Sequence, residues 1–185
     1  MSNQATKTNN DTLHLEAKIL LRLNNLPKKN KINVLEAFGG DGILWKEVKK
    51  RTDKNIKILS IDKKQYKTVN LKGDNIKFLM SFDLNKFDII DLDAWGSPSN
   101  QLEILHNKNY KGIVHCTFIQ SMLGQINTNI LLQYGYTEQM IKKCPTLFSK
   151  NGLDKFLYYI NKKFDVTEIY IHSHKKKNYF VFVIN

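Results

Sequence analysis

The 185-residue sequence predicts an α/β fold: a Rossmann-like, mostly parallel seven-stranded sheet with helices on both faces and an antiparallel last strand. Three observations carry that expectation. Apolar runs of strand length alternate with segments of helical periodicity through much of the chain, and such alternation builds a parallel sheet covered on both faces. A glycine loop, Gly39-Gly40-Asp41-Gly42, follows directly on the first strand-like run. Two strand-like runs lie close together at the C-terminal end, which requires one of them to run antiparallel.

The elements follow in order. Residues 11–26 form an N-terminal helix, with Leu13, Leu15, Ile19, Leu20 and Leu23 near helical spacing and Asp11 or Thr12 as its cap. Residues 32–38 are a short apolar strand, and 43–50 an amphipathic helix with Ile43, Leu44 and Val48 on one side. Residues 56–62 are a second strand ending in a carboxylate, 68–74 a short third strand and 76–80 a helical turn. Residues 87–93 form the fourth strand, 95–98 an abrupt loop, and 99–106 a helix starting from a serine cap. Residues 112–119 are β-branched and apolar, as a strand buried on both faces is. A helical region from 137 to 164 is interrupted near Pro145 and carries the stripe Leu153, Phe156, Leu157 and Ile160. Strands 166–172 and 179–184 close the chain around a basic turn at Lys175–Lys177.

The composition suits one domain over residues 1–185, with 1–10 disordered. Hydrophobic residues make up 42% and aromatics 11%, enough for a globular core. No apolar run reaches the ~20 residues of a membrane span, and the polar N-terminus lacks the apolar segment of a secretory signal. Cys116 and Cys144 form neither a disulfide framework nor a metal-ligand pattern, so a cytoplasmic, reducing setting and no metal are expected. The net charge of +12 points to a polyanionic partner, nucleic acid (RNA or DNA). Only Arg22 and Arg51 are arginines, and abundant lysine and asparagine also follow from an AT-rich coding sequence. Lysine suits general phosphate attraction better than bidentate base reading.

In open α/β sheets ligands bind beyond the carboxyl ends of the strands, so the residues just after each strand carry the chemistry. Glu36, Phe38, Gly40 and Gly42 follow the first. Glycines allow close backbone approach, and a carboxylate there suits a ligand with a cationic ammonium while repelling a pyrophosphate. The G-x-G-x-x-G spacing of dinucleotide loops is absent. The pattern E-x-F-x-G-x-G resembles the cofactor loop of S-adenosyl-L-methionine-dependent methyltransferases; a purely structural glycine turn is the alternative. Asp62, about 20 residues past the loop, stands where a ribose-binding carboxylate is expected. Asp74 could meet the adenine amino group with Asn75 beside it, or simply make a Gly-Asp turn.

The fourth strand is the most informative. Asp91 and Asp93 share one face of an apolar strand, which is costly unless both have partners. Trp95 and the stiff Gly96-Ser97-Pro98 turn follow. A carboxylate that accepts from an exocyclic NH2 group, beside an aromatic ring that stacks on the base, is what methylation of such an amine requires.

Asp91-Leu92-Asp93-Ala94-Trp95-Gly96-Ser97-Pro98 resembles the D-x-D-P-F/Y-G-S-P signature of the tRNA (guanine-N2) dimethyltransferase family, a relative of the D-P-P-Y motif of amino-group methyltransferases. Thr117, Leu123-Gly124, Leu132 and Tyr134-Gly135 follow that family's order, so the likeness spans about residues 32–160. It implies a class I methyltransferase fold, S-adenosyl-L-methionine as cofactor, Asp93 holding the target amine, Trp95 stacking on the base and Asp91 lining the site. The sequence departs from the family in three ways. Ala94 replaces a proline, the segment between Asp62 and Asp74 is short, and the family's large C-terminal RNA-engaging domain has no counterpart. A small-molecule or protein substrate, or a non-catalytic cofactor- or nucleic-acid-binding subunit, are the competing readings. His172 and His174 are expected at a solvated hairpin tip, His115 as a hydrogen-bonded core histidine, and Phe156, Tyr158 and Tyr159 as core.

Overall fold

A computed structural model of the protein describes residues 14–94, 96–120, 127–143 and 147–185, the side chains of 147–150 excepted. The expected cap at Asp11 or Thr12, the 1–10 segment, Trp95, Leu123-Gly124 and Cys144-Pro145 lie outside the described residues.

Seven strands form one sheet: β1 (Lys31–Glu36), β2 (Asn55–Asp62), β3 (Leu71–Lys72), β4 (Ile89–Leu92), β5 (Gly112–Ile119), β6 (Val166–His174) and β7 (Lys177–Ile184). Their order is β3-β2-β1-β4-β5-β7-β6, with β7 inserted between β5 and β6 and antiparallel to both. The helices are α1 (Leu15–Leu23), α2 (Ile43–Lys50), α3 (Asn75–Ser81), α4 (Ser99–Asn107), α5 (Thr128–Gln133), α6 (Glu138–Lys143) and α7 (Leu147–Lys163). The sheet is therefore the expected one: mostly parallel, doubly covered and antiparallel at its last strand.

Several local details differ from expectation. The third strand shrinks to two residues because Asp74 caps α3 immediately after it, accepting from the Ile76 amide at 3.0 Å. Pro98, not a serine, precedes α4, and Ser99 is its first helical residue. Helix α5, six residues long and capped by Asn127, was too short for periodicity to reveal. On α2 the buried face is Trp45 and Val48, while Ile43 is 42% exposed. Tyr158 is exposed, whereas Phe156 and Tyr159 are core. His172 and His174 lie within β6, paired with Tyr179 and Lys177 across the sheet, and do not form the turn.

The two faces of the sheet are chemically unlike. On one, Leu35, Ile90, Leu92, Phe118 and Phe180 pack against Leu102, Tyr134, Phe156 and Tyr159 from α4, the turn after α5, and α7. Phe118 and Phe156 stack with centroids 4.3 Å apart. On the other, Ile19 of α1 and Trp45 and Val48 of α2 cover Ile32, Val34, Ile56 and Ile89. That second face also buries a polar row: Ser60, Glu36, Asp91 and His115 are register partners across β2, β1, β4 and β5.

Asp91 anchors the row. Arg22 forks onto it, Nε donating to Oδ2 at 2.8 Å and a terminal nitrogen to Oδ1 at 2.8 Å. The Trp45 indole NH donates to Oδ2 at 2.6 Å. Four residues earlier on α1, Lys18 reaches Asp93. The match is geometric: four residues of helix rise ~6 Å, and two residues of strand ~6.6 Å. Two basic residues one helical turn apart thus meet two acids on one strand face. Since Lys18 meets the later acid and Arg22 the earlier, α1 runs antiparallel to β4. The sequence held this signal, since Lys18 and Arg22 are four apart and Asp91 and Asp93 two apart, yet the apolar stripe of α1 alone does not reveal it.

The two arginines separate a buried pair from an exposed one. Arg22→Met leaves Asp91 buried without its main counter-charge and is expected to lower the unfolding free energy by about 3–5 kcal/mol. Arg51→Met, which breaks an exposed pair with Glu16, is expected to change stability far less, because solvent screens such a pair. Urea unfolding of both variants checks this, and equal effects would remove the buried fork from its organising role.

Candidate functional site

The carboxyl ends of β1, β2 and β4 bring together Glu36, the glycine loop, Asp62 and Asp93. The loop owes its shape to its glycines. Gly40 and Gly42 are left-handed at φ 49° and 69°, and Gly42 is the residue from which α2 departs. A Cβ on Gly39 would run into the Ser60 hydroxyl and stand 3.2 Å from the Ser60 Cβ, so this residue, to which the sequence assigned no separate task, takes a side chain only if Ser60 turns away. A Cβ on Gly40 would meet nothing within 4 Å: the backbone there faces open space.

Asp62 fastens the loop to β2. Its Oδ2 accepts from the Gly40 amide at 3.0 Å and its Oδ1 from the Lys64 amide at 2.8 Å, leaving each oxygen a further lone pair. The Thr68 hydroxyl donates to the Gly40 carbonyl at 3.2 Å, so the short segment after Asp62 closes over the loop. Phe38 packs against the larger core. Asp74 caps α3. Asn75 has a task the sequence did not foresee: it is buried, donating to the Ala37 carbonyl at 2.9 Å and accepting from Gln101 at 3.1 Å. Its side chain therefore ties α3 and α4 to the end of β1.

Glu36 is 5% exposed. Lys18 and Arg22 being engaged by Asp93 and Asp91, it has no ion-pair partner among the described residues. Burial, then the neighbouring charge of Asp91, push its carboxyl up to about 8, against the Ser60 hydroxyl and Arg22.

Asp93 is held differently. Lys18 Nζ donates to both its oxygens, at 2.6 and 2.9 Å, and the Thr117 hydroxyl donates to Oδ1. Burial works against its charged form, but Lys18, Arg22 and these hydrogen bonds outweigh that and keep the carboxyl below its usual range. Asp93 is partly exposed, at 17% of its side chain. Asp91, expected to line the pocket, is fully buried and satisfied by Arg22 and Trp45; it positions α1 and α2, and Asp93 alone reaches the opening. The Gly96–Pro98 turn behind Asp93 is braced from α4 and the end of α5. Ser99 bonds Ser97 at 2.5 Å and the buried Tyr134 hydroxyl at 2.6 Å, and the Ile119 amide donates to the Gly96 carbonyl at 2.9 Å.

His115 is core, but neither ring nitrogen has a hydrogen-bond partner among the described residues. Burial, then the charge of Arg22, hold it neutral, well below 6.5. Burial likewise pushes the Cys116 thiol well up, so it is a packing group without nucleophilic character.

No family model and no curated protein matches the chain. Solved structures do. Trm1 from Pyrococcus horikoshii, in complex with S-adenosyl-L-methionine, superposes with a TM-score of 0.60 at 15% identity, over 94% of this chain and 55% of that one. The fibrillarin/Nop5p complex matches at 0.58 with 14% identity, over 91% and 80%. The CurJ carbon methyltransferase matches at 0.55 with 11% identity, over 92% and 54%. The fold is thus the Rossmann-like class I methyltransferase fold, and the chain spans about half the length of the Trm1 chain, 55% of it. Among the described residues no helix is long and apolar enough to cross a membrane.

The raised carboxyl of Glu36 makes a prediction about stability. A carboxyl whose folded-state pKa lies above its ordinary 4.5 stabilises the fold fully below that value, and this contribution is lost as pH rises to about 8. Glu36→Gln keeps the shape without the titration. The variant's unfolding free energy relative to wild type is expected to rise between pH 5 and pH 8, by about 3–4 kcal/mol. A pH-independent difference would contradict a buried, protonated Glu36.

Proposed function

We propose that the protein is an S-adenosyl-L-methionine-dependent methyltransferase acting on an exocyclic amino group of a nucleic-acid base. The observation that carries the reading is the pairing of two unlike carboxylates at the ends of the adjoining strands β1 and β4: Glu36, desolvated and without an ion-pair partner among the described residues, and Asp93, charged and partly open. The methyltransferase fold and the net charge of +12 support it.

The residues fit the cofactor. Glu36 would face its ammonium, Gly40 offers open backbone for close approach, and Asp62, with Asp74 beyond it, would meet the ribose and adenine. A cation beside Glu36 would supply the missing counter-charge, so the carboxyl would release its proton on binding. When bound, the cofactor supplies a methyl group on a sulfonium, transferable by in-line displacement. The protein's task is alignment, which supplies most of the rate. Asp93 accepts a hydrogen bond from the amine and turns its lone pair toward the methyl group. It need not be a strong base, because the proton can leave after transfer. Thr117 and the braced Gly96–Pro98 turn hold Asp93 in place, and Trp95 would take the stacking position. A target base in a structured strand must be splayed out of its stack to reach Asp93.

The Lys18–Asp93 pair favours a second reading, a cofactor-binding module that does not transfer methyl groups, and one experiment separates the two. With tritium-labelled cofactor, wild type is expected to label RNA or DNA, while Asp93→Asn binds the cofactor as before and transfers about a hundredfold more slowly or less. Intact cofactor binding with no label in any nucleic acid would overturn the amine reading.

A further inference from the structure

Helix α1 and the residue that precedes it carry a second pattern besides the apolar stripe. Lys18 and Arg22 lie one turn apart on one face of the helix, and His14, at its N-cap, stands four residues before Lys18. Arg22 meets Asp91, and Lys18 meets Asp93 while its ammonium lies 4.9 Å over the Tyr179 ring. The His14 ring is 4.2 Å from that of His174, and the exposed His172 stacks on Tyr179 at 6.1 Å. An edge of basic and aromatic side chains therefore runs from Asp93 to the tip of the β6–β7 hairpin, with His14 and Tyr179 buried beneath it and the partly exposed Lys18 and exposed His172 at its surface.

At that tip the residues between His174 and Lys177 are Lys175 and Lys176, both exposed. Neither forms an ion pair among the described residues. Lys175 is left-handed at φ 54°, a conformation that glycine or asparagine adopts at less cost and that two-residue hairpin turns normally reserve for them. Folding alone gives no reason for a lysine there.

We infer that this edge binds the phosphodiester backbone flanking the target base, and that Lys18 is a specificity-determining group exchanging Asp93 for a substrate phosphate as the base's amine takes its place. The inference rests on the amino-group reading of Asp93 given above. It also accounts for a carboxylate proposed to receive an amine being paired with an ammonium already: Lys18 holds Asp93 charged and oriented in the free protein. A phosphate one nucleotide away gives that ammonium somewhere to go. A free base or nucleoside would have to displace Lys18 with no compensating contact, so substrates bearing phosphate are favoured.

The test is binding of a fluorescein-labelled, mixed-sequence single-stranded RNA of 20 nucleotides, with the matching DNA as a second arm, followed by anisotropy across a salt series. Asp93→Asn releases Lys18, so it is expected to bind the strand about three- to tenfold more tightly than wild type near 0.1 M salt, with a log–log salt slope steeper by about one. In a Lys18→Met background the same Asp93→Asn change is expected to bring little gain. Lys175→Asn is expected to weaken binding about three- to tenfold and flatten the slope by about one, with an unchanged or higher unfolding temperature, because the turn prefers asparagine. A gain from Asp93→Asn that persists without Lys18, or no gain at all, would overturn the exchange. Unaltered binding by Lys175→Asn would remove the hairpin from the edge. Because the readout is binding, missing methyl transfer counts against the catalytic reading alone.

Discussion

The Arg22 guanidinium, the Asp91 carboxylate and the Trp45 indole meet in the interior, between α1, α2 and the centre of the sheet. Desolvating two charges costs several kcal/mol each, and mutual attraction offsets that only where the geometry is good and the remaining lone pairs are filled. Here two fork hydrogen bonds and one from the indole give Asp91 three donors, two on Oδ2 and one on Oδ1. The consequence is positional more than energetic. With Arg22 fixed on Asp91, Lys18 one turn earlier is brought to Asp93, and His14 another turn earlier falls beside His174 of the β6–β7 hairpin. One buried pair sets the rotation and height of a nine-residue helix and, through it, the surroundings of the proposed active carboxylate.

The same pair governs Glu36. Asp91 and Glu36 are neighbours on adjoining parallel strands, and a single guanidinium cannot serve both. Arg22 goes to Asp91, so Glu36 keeps its proton in an environment that would welcome a cation. His115, next in the row, is buried without hydrogen bonds among the described residues, which costs about 1–3 kcal/mol for an unsatisfied polar group. The opposite face, where aromatic rings interlock around Phe118, Tyr134 and Phe156, shows how the chain packs when only stability is at stake. Among the described residues the buried charged side chains, Arg22, Glu36 and Asp91, all lie on one side of the sheet, the side covered by α1 and α2.

Much of this was legible in the sequence because it is local. The bounds of α2 and β5 coincide with their periodic segments, and the mostly parallel sheet with an antiparallel last strand follows from alternation and the C-terminal pair, whereas the order of the strands does not. Glu36, Asp62 and Asp93 could be placed because ligands gather at strand ends in such sheets. What could not be read depends on distant partners. Nothing near Asp91 in sequence says that Arg22, 69 residues earlier, will claim it, or that Asn75 will join Ala37 to Gln101. His172 is exposed, as a solvated tip requires, but the turn itself starts only after His174: β6 extends further than its apolar residues because Tyr179 of β7 and His14 before α1 lie against its histidines.

The account turns on where a bound cofactor would direct its methyl group. A crystal structure of the protein with S-adenosyl-L-methionine measures this directly. The account predicts the ammonium within hydrogen-bond distance of Glu36, the ribose hydroxyls on Asp62, and the sulfonium methyl facing Asp93 across the crevice. An adenosine bound away from the β1–β2 strand ends, or a methyl group walled off from Asp93, would contradict it.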